Sequence, residues 1–273
     1  MTPAIRPLTF AAVDELGFAA GRGLLDENHL LSGYAPRRLG PLLELISLAD
    51  AGLLPATVLT TSLAANGASP FIEAIRNNRE HWLSPENRRM GFIKTVRSGT
   101  DHNTMLTSFL MDAQRAARDV ARLPGTTPGQ MAAAMEELEN NIHEHSDADA
   151  TGILAFRAAR GEFEFVVADR GIGVLSSLRK CSLYASLTDH GAALESALKD
   201  GTSRFGLDSN RGHGYRPLFI GLVNLHGSLR FRTGDHALLM DGTSPDLARA
   251  QLAQKPTIAG LFVSVACTAQ RYP

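Results

Sequence analysis

The chain has 273 residues, enough for one large domain or two modest ones. Its 44% hydrophobic content supplies a core, and the balance of 27 basic against 28 acidic side chains gives neither a basic field for nucleic acid nor an acidic tail. Cys181 and Cys267 lack any metal-binding spacing and read as thiols of a reducing cytosol.

The first residues, "MTPAIRPLTFAAVDELG", lack the basic-then-apolar order of a signal peptide. The most apolar long stretch, "AGLLPATVLTTSLAANGA", is interrupted by Pro55 and polar residues. It falls short of the ~20 apolar residues that span a bilayer. The protein is expected to be cytoplasmic, with no membrane and no nucleic-acid partner.

In chain order, "RRLGPLLELISLADAGL" reads as an amphipathic helix and "PATVLTTS" as a short strand. "SPFIEAIRNNREHWL" reads as a helix capped by Ser69 with Pro70 in its first turn. Residues 1–100 thus suggest a small α/β domain, in which His81 and Trp82 serve packing or surface roles, as does His102 just beyond it. "NTMLTSFLMDAQRAARDVARL" carries apolar residues at helical spacing, and "RLPGTTPGQ" has two Pro-Gly pairs typical of a linker. Residues 101–128 are therefore read as helix plus linker.

"QMAAAMEELENNIHEH" is again helix-forming. "TGILAFRAA" and "EFEFVVAD" read as antiparallel strands with Arg160-Gly161 at their turn. An irregular stretch from about Leu175 to Arg211 holds one helical piece, "HGAALESALKDG". A helix, "YRPLFIGLVNLHG", and two strands, "SLRFRTG" and "AGLFVSVACTA", complete the chain.

Three motifs carry chemistry. Glu137, Asn141 and His145 are spaced four apart, an offset of only about 40° on a helix, so they share one stripe. Met135, Leu138 and Ile142 form a separate, core-facing stripe. Next, "VVADRGIGV" brings Asp169 to a strand end, where Gly171 and Gly173 let the backbone turn and approach a ligand closely. The spacing is not that of a P-loop. Last, "SNRGHGYRPLFIGLVN" sets Gly212 and Gly214 at a helix start, a place that binds phosphate, with Arg211 and Arg216 beside them.

In this order the motifs resemble the GHKL superfamily of ATP-binding domains, over about Gly129 to Ala269. Among GHKL proteins, "NNIHEHSDADATG" and "VVADRGIGVLSSL" look most like the bacterial anti-sigma serine kinases and stand-alone histidine-kinase-like ATPases. Nothing before residue 128 shows the phosphoacceptor pattern of an orthodox histidine kinase. The resemblance implies a two-layer α/β sandwich of the Bergerat type, with a mixed, largely antiparallel sheet, over 129–273. A smaller α/β domain would precede it, of the STAS kind found in some members. It implies ATP and Mg²⁺ as cofactors, with Asn141 as the Mg²⁺ ligand and Glu137 as general base. Asp169 would accept from the adenine amino group, with Gly171 and Gly173 beside base and ribose. Arg211, Gly212, His213 and Gly214 would meet the phosphates at the base of a lid over about Ser176 to Arg211.

The sequence departs from the family at Asn210, where glycine is usual, at His213, where leucine is common, and at Gly260-Leu261, where Gly-Thr is common. The implied function is ATP hydrolysis or phosphorylation of a protein Ser or Thr in a bacterial regulatory role, with an unidentified protein partner and homodimerisation left open. The alternative is a non-catalytic, ATP-switched interaction module. A hydrolase metal site on His143, Glu144 and His145 is disfavoured, since residues 143 and 145 lie about 200° apart on a helix. Glu136 and Glu139 are assigned to the solvated face, His145 to a supporting place beside the site, and His143 to no role.

Overall fold

The computed structural model describes residues 6–25, 34–61, 69–95, 102–197, 227–241 and 251–269. In chain order the helices are α1 (Phe10–Gly21), α2 (Leu39–Asp50), α3 (Thr57–Thr61), α4 (Ser69–Arg76), α5 (His102–Asp119), α6 (Thr127–His145), α7 (Gly173–Leu178) and α8 (His190–Ala197). The strands are β1 (Arg6–Pro7), β2 (Tyr34–Ala35), β3 (His81–Leu83), β4 (Met90–Lys94), β5 (Ile153–Ala159), β6 (Glu162–Ala168), β7 (Ser228–Asp241) and β8 (Gln251–Thr268). The protein is mixed α/β. Six strands form one sheet in the order β3-β4-β5-β6-β8-β7, every pairing antiparallel, while β1 and β2 form a separate parallel pair.

Side chains alternate across a strand, so a sheet buried on one face should alternate apolar and polar. Here both faces are buried. Leu154, Phe156, Phe163, Phe165 and Val167 join a core with α5 to α8, and Ala155, Val166, Ala168 and Phe262 join a second core with α1 to α4. The expected two layers are therefore three, helices–sheet–helices. The extra layer comes from the N-terminal segment. That segment also contributes β3 and β4, and β4 pairs with β5 from Met90–Arg157 to Lys94–Ile153. The sheet thus runs continuously past the expected boundary at residue 100.

Local readings within this segment change as well. Residues 57–61, expected as strand, form α3, where Val58 and Leu59 bury themselves against the second core. The helix expected to reach Leu83 ends at Arg76, and His81–Leu83 pair with β4 instead. The Pro-Gly stretch forms a turn. It joins α5 to α6, which pack on the same face, and Leu123 within it is buried.

The layer that carries the motifs is a helix pair laid on the sheet. α5 offers Leu106, Phe109, Leu110 and Ala113, and α6 offers Met131, Met135, Leu138 and Ile142 at helical spacing. Phe109 meets Phe156 of β5 with ring centroids 5.1 Å apart. Each such buried ring contributes roughly 1.5–3 kcal/mol. α6 has Pro128 in its first turn, and past its C-cap Ser146 the chain turns at Asp147, φ 56°, the left-handed conformation that ends many helices.

Candidate functional site

The loop after β6 and the end of α6 are built against each other. Ile172 N–H donates to the Ser146 carbonyl at 2.8 Å. A methyl group at Gly171 would sit 2.0 Å from that same oxygen, so only glycine admits this approach. Gly173 adopts φ 71°, and a side chain there would meet the Thr233 hydroxyl at 2.6 Å. The two glycines of D-x-G-x-G are thus required by contact with α6 and β7.

Asp169 lies at the end of β6 and is buried. Its backbone N–H donates to the Leu261 carbonyl at 2.9 Å, continuing the β6–β8 ladder. Its Oδ1 accepts from Gly171 N–H at 2.8 Å. Gly260 takes φ 72°, and any side chain there would collide with the Asp169 carbonyl at 2.1 Å. Burial raises the Asp169 carboxyl to about 6, although the backbone amides of Gly171 and Leu261 pull it back down part of the way.

Thr233 escaped the sequence reading. It is fully buried on β7, its hydroxyl donates to the Gly260 carbonyl at 2.7 Å, and Val174 N–H donates to that hydroxyl at 3.2 Å. One side chain therefore ties β7, β8 and the start of α7 together around Asp169. The signal was weak, because "FRTGD" reads as an ordinary strand end.

On α6, Glu137 is exposed, and Asn141 and His145 are half-buried further along the same stripe. His145 Nδ1 lies 3.4 Å from the Ser177 hydroxyl of α7, a supporting place beside the glycine loop. The structure gathers Asp169, Gly171 and Gly173 with the end of α6, while Glu137 stands two turns back on its surface. Arg211, Gly212, His213 and Gly214 lie outside the described residues, as do residues 198–211 of the expected lid and 215–226 of the helix expected after it; the described part of the lid, 176–197, runs from the end of α7 to the end of α8.

Two assignments are corrected. Glu139 is not on the solvated face: it is 1% exposed, because its position on α6 turns toward α5 rather than water. His143 is not incidental, since its Nε2 lies 2.6 Å from Glu139 Oε1. His102, at the start of α5, approaches the same oxygen at 3.2 Å.

Among the described residues no helix is long and apolar enough to cross a membrane. Comparison with protein-family models, with curated proteins and with solved structures finds no match.

Proposed function

We propose that this chain is a GHKL-type protein that binds Mg-ATP and hydrolyses it or passes its γ-phosphate to a protein Ser or Thr, in a bacterial regulatory role. The observation that supports this most is Asp169. A carboxylate offers about four acceptor sites, and among the described residues only the backbone amides of Gly171 and Leu261 engage this one. A buried carboxylate with unused acceptor capacity, beside a loop that only glycines can build, suits an adenine amino group.

Asn141 would hold Mg²⁺ through its amide oxygen, in keeping with the oxygen ligands this ion prefers. The ion would neutralise the phosphate charge that α6, with its several carboxylates, otherwise repels. In transfer, the bond from the γ-phosphorus to the β–γ bridging oxygen breaks and ADP leaves. A new bond forms to a water or hydroxyl oxygen, whose proton passes to Glu137. Positioning and charge neutralisation supply most of such catalysis.

The exposure of Glu137 favours a second reading, a nucleotide-switched interaction module without turnover. Thermal stabilisation by Mg-ATP, followed by steady-state phosphate release from wild type and Glu137→Ala, separates the two. The first reading expects stabilisation of both proteins and turnover only in wild type. Stabilisation without turnover in wild type selects the second, and no stabilisation at millimolar Mg-ATP removes both.

A further inference from the structure

His102, Glu139 and His143 form a buried polar cluster apart from the residues assigned to the nucleotide. All three side chains are at least nine-tenths buried, and each offers a ligand atom within 4.8 Å of the others. Glu139 and His143 come from successive turns of α6, and His102 is the first residue of α5. The two imidazole rings stand nearly perpendicular, centroids 6.0 Å apart, with both Nε2 atoms directed at Glu139 Oε1. We propose that these residues bind a divalent transition-metal ion, Zn²⁺ foremost, which clasps the start of α5 to the end of α6.

The proton arrangement favours an ion. If both imidazoles are neutral and donate from Nε2 to Glu139, His143 Nδ1 is left as a bare acceptor. That atom is buried and makes no hydrogen bond among the described residues. The group facing it is another acceptor, Asp149 Oδ2, at 3.6 Å. Two lone pairs then confront each other. A metal reverses the tautomer: both Nε2 lone pairs and the Glu139 oxygen point at the ion, and His143 Nδ1 carries a proton toward Asp149. Carboxylate–histidine–metal triads have this form. Charge also closes, because two carboxylates balance one divalent cation.

Donor type selects the ion. Two imidazoles and one carboxylate suit Zn²⁺ and its neighbours, whereas Mg²⁺ takes oxygen. Ligand atoms about 2.0–2.1 Å from Zn²⁺ lie roughly 3.3 Å from one another in a tetrahedron; the 3.2 Å between His102 and Glu139 matches this, while the 2.6 Å between His143 and Glu139 would open by about 0.7 Å to admit the ion. Three protein ligands leave the fourth position to water. The site is independent of the nucleotide reading, since it uses none of the residues assigned to ATP. The competing arrangement is a doubly protonated His143 bridging Glu139 and Asp149 without metal.

The test uses the untagged full chain, stripped with chelator and free of nucleotide. Co²⁺ is added at micromolar concentration and the visible spectrum followed, then Zn²⁺ is used to displace it. The expected result is a set of d–d bands of a low-coordinate site at one equivalent, abolished by Zn²⁺. Zn²⁺ should raise the melting temperature and Mg²⁺ should not. Glu139→Gln and His143→Gln should lose the bands. Because Glu139 is buried and its variants risk misfolding, the exposed Asp149→Asn provides a gentler probe, expected to weaken Zn²⁺ binding about 10–100-fold. A spectrum no different from free Co²⁺, or Zn²⁺ binding unchanged in Glu139→Gln and His143→Gln, would overturn the proposal.

Discussion

The two faces of the sheet bury charge in opposite ways. On the α5–α8 face the core is apolar, and the buried carboxylates, Asp112, Asp169 and Glu139, stand at its margins, Asp112 paired with Arg88 at 3.0 Å. On the α1–α4 face an ionic network lies against the sheet itself. Arg230 of β7 reaches Asp14 of α1 at 2.6 Å and Glu44 of α2 at 2.7 Å, Arg232 pairs with Glu44, and Lys255 reaches Asp14 at 2.7 Å. Beside this network a cavity of about 480 Å³ is lined by Phe10, Arg38, Glu164 and Arg230, among others. The difference teaches where to look for chemistry. The network's carboxylates face cations that hold helices to the sheet, Glu44 through Oε1 alone because its Oε2 has no hydrogen-bond partner among the described residues, whereas Asp169 meets backbone amides at the end of a strand.

Substitutions can break this contrast. The largest effect is expected from Glu44→Ala, which leaves Arg230 and Arg232 short of a counter-ion in a fully buried setting. Removing one partner of a buried pair costs about 3–5 kcal/mol, so denaturant titration should show a loss of that order. A loss below about 1 kcal/mol, the range of exposed pairs, would mean that the network is not buried as described.

Next in size is a pH effect. Glu164 of β6 is buried beneath the N-terminus of α2, where Leu39 N–H donates to it at 2.5 Å. Burial pushes its carboxyl up to about 7 despite that amide. Between about pH 4.5 and 7 native Glu164 keeps a proton that the unfolded chain has released. Stability is therefore full below that window and falls through it as pH rises, by on the order of 3 kcal/mol. Asp169 adds a slope of the same sign between its ordinary range and about 6. Glu164→Gln should flatten most of the decline in denaturation midpoint measured from pH 4.5 to 7; an unchanged slope would assign it elsewhere.

Smaller still, Thr233→Val should cost about 1–3 kcal/mol. It removes a buried hydroxyl that satisfies Val174 N–H and the Gly260 carbonyl. The loss should appear both in melting temperature and in nucleotide affinity, because the strut holds the walls of the Asp169 site. A loss confined to stability would detach Thr233 from the site. The smallest effect on stability belongs to Glu137→Ala, within about 0.5 kcal/mol, since this side chain is exposed.

The readable parts of the sequence were those whose pattern is local. α5, α6, β5, β6 and the Arg160-Gly161 turn follow from helical or alternating periodicity, and Asp169 followed from an apolar strand ending in glycines. The unreadable parts depend on distant chain. In "SLRFRTG", Leu229 and Phe231 alternate with Arg230 and Arg232, which ordinarily means one face in water. The structure instead lays α1 and α2 over the arginines and supplies Asp14 and Glu44, more than 180 positions away, to hold them. Glu139 misled for the same reason, because its partner His102 comes from 37 residues earlier. β3 and β4 are short, and the pairing of β4 with β5 crosses the α5–α6 pair, so no local pattern announces that they extend the sheet.

The most direct test of the central claim, nucleotide binding at Asp169, is a calorimetric titration with Mg-ATP across pH 5 to 8, for wild type and Asp169→Asn. An adenine amino group needs the ionised carboxylate. Wild-type affinity should hold level above about pH 6 and fall by up to tenfold per pH unit below it. Asp169→Asn should bind more weakly at neutral pH and lose that dependence. Wild-type affinity that is absent at millimolar Mg-ATP, or an Asp169→Asn profile superimposable on wild type, would contradict the account.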